Sequence, residues 1–173
     1  MVLLQETLKG ENMKVIYSDE DFKTIGTFNN SLFLAGPTPR SLDVFSWRTE
    51  ALDILEELDF NGRIYCPERK IINPQFDYVS QVEWEWKSMH DCGLIVFWVP
   101  RNINTLLGLT TNVEFGRHTA MSNVLYGRPE GAPHTRYLDW LYNKTNRGTP
   151  YPTLPGLLDA AMKFFQGKSY ICS

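Results

Sequence analysis

Leu94-Ile95-Val96-Phe97-Trp98-Val99, stopped by Pro100, is an unbroken apolar hexapeptide. A strand with one wet face alternates apolar and polar side chains. A run that is apolar at every position has both faces covered, as in a parallel sheet with helices on either side. Shorter runs repeat the signal around it. Upstream lie Ser31 to Ala35 (SLFLA), closed by Gly36-Pro37, and Arg63 to Cys66 (RIYC), closed by Pro67; downstream lies Val124 to Tyr126. Met13 to Tyr17 reads as a short edge strand.

Helical spacing fills the intervals. Val44, Trp47, Ala51, Leu55 and Leu58 form one apolar stripe, which predicts a helix over 43–58 broken by Asn61-Gly62. A second helix is expected over 78–90. A third is expected over 112–122, with Thr110 or Thr111 as its cap. The last opens at Thr153 and Pro155, carries Leu154, Leu157, Leu158, Ala161, Met162 and Phe165, and stops at Gly167. Strands alternating with helices predict a single α/β domain with a central parallel sheet, residues 1–30 being an N-terminal extension.

Composition removes several classes of function. The 17 basic and 20 acidic residues leave a formal charge of -3, without the dense basic face that a duplex nucleic acid needs. No run of 18 apolar residues predicts a membrane span, and Met1 to Lys14 lacks the pattern of a secretory signal. Cys66, Cys92 and Cys172 have no paired spacing, which fits reduced thiols in the cytoplasm. His90, His118 and His134 show no metal-ligand spacing, so no metal site is expected.

Ligands of such sheets bind beyond the carboxyl ends of the strands, and three places there carry chemistry. After the first long strand stands Gly36-Pro37-Thr38-Pro39-Arg40, where glycine admits close approach and Arg40 can reach a phosphate or carboxylate. A rigid turn with a surface arginine accounts for the same residues equally well. After the central strand comes TTNVEFGR (110–117), with Glu114 expected in the first turn of a helix whose dipole keeps a carboxylate ionised. Acids favour first turns for stability alone, so position by itself does not make Glu114 a nucleophile. The third group is Gln81, Trp84, Glu85 and Asp91. Trp84, with Trp86, Phe76 and Tyr78 nearby, is either core or a platform for a base, and Glu85 is either a solvated charge or a second carboxylate. Two carboxylates in different roles are what glycosidic cleavage requires.

The ordered blocks FLAGPTPR (33–40), WR (47–48), QVEWE (81–85), LIVFWVPR (94–101), TTNVEFGR (110–117) and VLYGRPEGA (124–132) resemble the nucleoside 2-deoxyribosyltransferase-like family over about Leu32 to Tyr142. The resemblance implies a flavodoxin-like or Rossmann-like three-layer fold. It also implies transfer of 2-deoxyribose between nucleobases through a covalent glutamyl–sugar intermediate, with Glu114 as the nucleophile attacking C1′. Glu85 and Asp91 become the accompanying carboxylates, and Gly36, Pro37, Arg40, Trp47, Gln81, Trp84, Arg101, Asn112 and Gly116 the substrate-binding positions. No cofactor or metal is implied. The partners are a nucleoside or nucleotide and a free nucleobase, and a homo-oligomer shares its active sites between subunits.

The sequence departs from the family pattern in three places, the first being Glu85, which stands near where the family carries an aspartate on the helix before the central strand. The loop 101–108 lacks an aspartate, for which Asn112 substitutes, and a C-terminal tyrosine motif is not evident in 169–173. Two alternatives stay open: hydrolysis of a nucleoside 5′-monophosphate, which Arg40 and Arg101 would favour, and a nucleotide-binding sensor without turnover.

Overall fold

The structure, a computed structural model, describes residues 13–20, 28–41, 43–70, 77–121, 123–145 and 148–169. Phe76, Ser122 and Cys172, which entered the reading above, lie outside these. The strands are β1 (Lys14–Tyr17), β2 (Phe28–Ala35), β3 (Arg63–Cys66), β4 (Cys92–Trp98) and β5 (Val124–Gly127). The helices are α1 (Trp47–Glu57), α2 (Tyr78–Asp91), α3 (Leu109–His118), α4 (Arg136–Lys144) and α5 (Leu154–Ser169). All four pairings between strands are parallel, in the order β1-β3-β2-β4-β5. The result is the expected three-layer, flavodoxin-like arrangement, with β1 added at one edge.

The apolar hexapeptide behaves as its composition requires. Ile95, Phe97 and Val99 face one layer, where Trp84 and Met89 of α2, Phe115 of α3, and Leu138 and Tyr142 of α4 cover them. Leu94, Val96 and Trp98 face the other layer, against Trp47, Ala51 and Leu55 of α1 and Leu154, Leu157, Leu158 and Ala161 of α5. Burying each such side chain contributes about 1.5–3 kcal/mol, more than the roughly 1–2 kcal/mol of backbone entropy lost per residue. At the far edge the chain returns to cover β5: Gly127 bridges Tyr151, whose N–H donates to the Tyr126 carbonyl at 3.0 Å.

Several element boundaries differ from expectation. Helix α1 starts at Trp47 rather than at 43, because Ser46 takes the cap and its Oγ accepts from the Arg48 N–H at 3.1 Å. Val44 therefore precedes the helix. Helix α3 starts at Leu109, so Thr110 and Thr111 lie inside it; the cap is Gly108, in the left-handed region at φ 64° and without a side-chain bond. It ends at His118. Helix α4 falls in a stretch for which the reading above expects no element, and α5 continues past Gly167 to Ser169. Its start is as expected, with the Thr153 Oγ1 accepting from the Gly156 N–H at 3.3 Å.

Candidate active site

In the sheet order, the chain leaves β2 towards β3 on one side and leaves β4 towards β5 on the other. The connections part at the carboxyl ends of β2 and β4 and leave a crevice there. It holds a cavity of about 360 Å³, within the range of small-molecule sites. The strand-end segment Gly36 to Arg40 forms one side of it. Tyr78, Gln81, Val82 and Glu85 of α2 form a second, and Gly108 to Thr111 with Glu114 form a third.

The segment after β2 is clamped from beneath. Gly36 packs so closely on the Trp98 carbonyl and the Trp47 indole that any Cβ would overlap them. Trp47 Nε1 donates to the Pro37 carbonyl at 3.0 Å. Arg48, 1% exposed, sends its whole guanidinium into the same turn. Nε donates to the Leu34 carbonyl at 3.0 Å and Nη2 to the Gly36 carbonyl at 2.8 Å. Nη1 reaches the Pro37 carbonyl at 3.4 Å, Thr38 Oγ1 at 3.2 Å and Glu68 Oε1 at 2.9 Å. Ser46 Oγ donates to the same Glu68 oxygen. An arginine fork thus replaces the sheet partner that the strand end has lost.

Two carboxylates face the cavity from opposite helices. Glu114 is not in the first turn, because α3 begins five residues before it. The helix dipole fades beyond that turn, so burial dominates instead. Burial, followed by the charge of Glu85, pushes the Glu114 carboxyl up to about 7, and the Arg48 guanidinium pulls the other way. Burial also raises Glu85, opposed by a hydrogen bond from Gln81 and by Arg48. Gln81 Nε2 donates to Glu85 Oε1 at 2.9 Å, while its own Oε1 accepts from Arg69 Nη2 at 2.9 Å. The Glu114 carboxyl is therefore lifted into the neutral range, and a second carboxyl raised by burial, Glu85, faces the same cavity.

The other sequence-predicted positions divide. Gly36, Pro37, Arg40 and Gln81 line the cavity beside the two glutamates. Trp84 does not. Its indole is fully buried against Phe33 and Tyr65, with ring centroids 6.2 Å away in each case, so it is core and not a platform for a base. Trp47 supports the floor from below. Asp91 ends α2 at the opposite edge of the sheet, paired with Lys87. The Arg101 guanidinium is turned inward, donating to the His134 carbonyl at 2.7 Å and to Asn112 Oδ1 at 2.5 Å. Neither Arg101 nor Asn112 belongs to the cavity lining, and Gly116 has open space where a Cβ would stand. Burial pushes the Cys66 thiol up to about 11 and Cys92 up to about 12, which leaves both unreactive.

Arg48 and Glu68 carry no role in the sequence reading above, Tyr78 appears there only beside Trp84, and Thr111 only as a candidate cap, whereas all four stand at or beside the cavity. The pair WR at 47–48 carried the only signal, as a motif without an assigned purpose; its purpose here is to hold FLAGPTPR in place.

A family model described as nucleoside 2-deoxyribosyltransferase like matches residues 29–132, more than half of the chain. A search of curated proteins found no match. The matched segment runs from β2 past β5 and contains the clamped turn, both cavity carboxylates and the switch in strand order. By that match the chain belongs to the nucleoside 2-deoxyribosyltransferase-like family.

Proposed function

We propose that the protein cleaves the N-glycosidic bond of a deoxynucleoside and transfers the 2-deoxyribose to a second base. The observation that carries this reading is the pair Glu85 and Glu114, facing one cavity at the switch point with both carboxyls raised by burial. Cleavage at C1′ needs both forms of a carboxyl group, one to give a proton and one to meet positive charge. Burial favours the protonated form of Glu114. Positive charge developing at C1′ favours an anion there, so the proton is held by Glu85 as the sugar–base bond opens.

The C1′–N bond then breaks with its electron pair going to the base, and the Glu85 carboxyl protonates that base. A Glu114 oxygen bonds to C1′. In the second half a new base loses its N–H proton to Glu85 and bonds to C1′, and Glu114 leaves as a carboxylate. Tyr78 and Val82 supply the aromatic and apolar wall against which a base can lie. No step calls for a cofactor.

A specific observation favours a second reading, hydrolysis of a nucleoside 5′-monophosphate, in which water replaces the acceptor base. Arg40 lines the cavity together with Leu109 and Thr110, the first residues of a helix whose cap offers no side chain. A cation and a helix start suit a phosphate.

We also propose a homo-oligomer. Val79, Val82, Trp86, Leu109 and Val113 are exposed on α2 and α3, and Val82 and Leu109 belong to the cavity wall as well. A second copy covering that face would close the mouth of the site.

The deciding experiment is chromatography of the protein with each deoxynucleoside and 5′-deoxynucleotide, with and without a second base, beside Glu114→Gln. A new nucleoside that needs the acceptor and vanishes in the variant supports transfer. Free base without an acceptor supports hydrolysis. Tight nucleotide binding without turnover would replace both with a sensor.

A further inference from the structure

Arg48 is more than a clamp. Holding three carbonyls and a hydroxyl needs donors but no charge. Yet among the described residues the buried guanidinium meets only one carboxylate, Glu68, which is itself 24% exposed and shared with Ser46. Its other four acceptors, the carbonyls of Leu34, Gly36 and Pro37 and the Thr38 hydroxyl, are neutral. A cation so enclosed is incompletely cancelled, and its field extends through a medium that screens poorly. It lies in the wall of the cavity that holds Glu85 and Glu114. We propose that Arg48 is a positioning residue for the glycosyl-transfer site: it fixes the turn Gly36 to Thr38 as the cavity floor and supplies a standing positive charge to the Glu85–Glu114 pair, with Glu68 setting how much of that charge the pair feels.

The surroundings are consistent with this role. From α2 the pair meets Gln81, which is polarised by Arg69, and Tyr78; from the strand-end turn it meets Arg40. Cys66 at the end of β3 and Glu68 just after it face Arg48, and Tyr17 at the end of β1 feels both. Cys66 and Tyr17 are raised and therefore neutral near pH 7, so Glu68 is the anion that competes for Arg48. The inference rests on the proposed reaction for its purpose, although its electrostatic part has a readout of its own.

The test uses Arg48→Gln, Arg48→Lys and Glu68→Gln in the full chain. It reads the pH profile of kcat/KM on a deoxynucleoside, and the carboxyl titrations of the resting protein by carbon-13 NMR. Removing the cation with Arg48→Gln is expected to move the acid limb and the Glu85–Glu114 titration to higher pH by about one unit. Removing the competing anion with Glu68→Gln is expected to move both to lower pH. Arg48→Lys keeps the charge but cannot span the carbonyls, so the limb stays and KM rises, about fivefold or more. Titrations that stay in place in both Arg48→Gln and Glu68→Gln overturn the electrostatic role whatever the turnover, and an unchanged KM in Arg48→Lys overturns the role in shaping the floor. Should Arg48→Gln fail to fold, Glu68→Gln alone decides, because its site is partly exposed. Absence of cleavage by the unaltered protein would instead sink the proposed reaction, since the NMR titrations are read without turnover.

Discussion

Glu114 carries opposite demands at the scale of one residue. Its carboxyl is raised from an ordinary 4.5 to about 7, so the folded chain binds that proton more tightly than the unfolded chain does. Below about pH 4.5 both states are protonated and nothing is lost. As pH climbs from there through 7, the folded state loses stability, and above 7 the loss is complete. Glu114→Gln removes the ionisation. It is expected to raise stability at pH 8 by up to roughly 3 kcal/mol and to leave it nearly unchanged at pH 4. Urea unfolding at the two pH values checks this; equal shifts at both would refute the buried-charge account. The same variant should lose turnover by roughly a thousandfold or more, as removal of a nucleophile does. In the unaltered protein, activity should rise with pH through about 7, as an apparent value belonging to the pair. Arg40→Ala bears on the substrate: binding of 5′-phosphorylated ligands should weaken about tenfold while that of nucleosides holds. Equal weakening of the two, measured by calorimetry, would make Arg40 a structural residue.

At the scale of the element, the phase of α2 explains what the sequence could and could not reveal. Tyr78, Gln81, Val82 and Glu85 recur at helical spacing along the cavity, whereas Trp84 and Ser88 point into the core. Aromatic residues stand on both faces of that helix, with Trp86 exposed, so composition alone does not say which face meets the ligand. Hence Glu85 and Gln81 are legible in the sequence, whereas Tyr78 and Trp84 are not told apart by it. Tyr78→Ala should raise KM about tenfold, the usual worth of one stacked base, with the melting temperature unchanged. An unaltered KM would remove Tyr78 from the base site. The strands were the most legible part, since runs buried on both faces need no phase. Helix α4 segregates its apolar residues into the stripe Leu138, Leu141 and Tyr142, but it is nine residues long and Thr135 makes no side-chain cap bond, so no start signal marks it. The start of α3 escaped because a left-handed glycine caps it where a threonine was expected. Ser46→Ala tests the α1 cap: losing the bond to the Arg48 N–H and the contact with Glu68 should cost about 1–2 kcal/mol in thermal unfolding.

For the whole molecule, the proposed assembly rests on the exposed apolar face of α2 and α3. Val113 is 73% exposed and Leu109 59%, beside Trp86 with the Arg117 guanidinium over its ring. Val113→Lys should convert an oligomer to monomers in sedimentation velocity and reduce turnover by exposing the cavity mouth. A monomeric unaltered protein at micromolar concentration would sink the assembly proposal. Among the described residues no helix is long and apolar enough to cross a membrane, so this exposed face needs another explanation than a lipid-spanning segment.

The two walls of the cavity differ in what they can tolerate. The turn after β2 is bound into the sheet through Gly36, Trp47 and Arg48, so a change there alters the fold and the pocket together. Tyr78 and Val82 stand on the outer side of α2 and bear little of the core. Drift in substrate preference, whether by natural divergence or by laboratory selection, should therefore collect at positions 78 and 82, where new shapes can be tried while the folded chain survives.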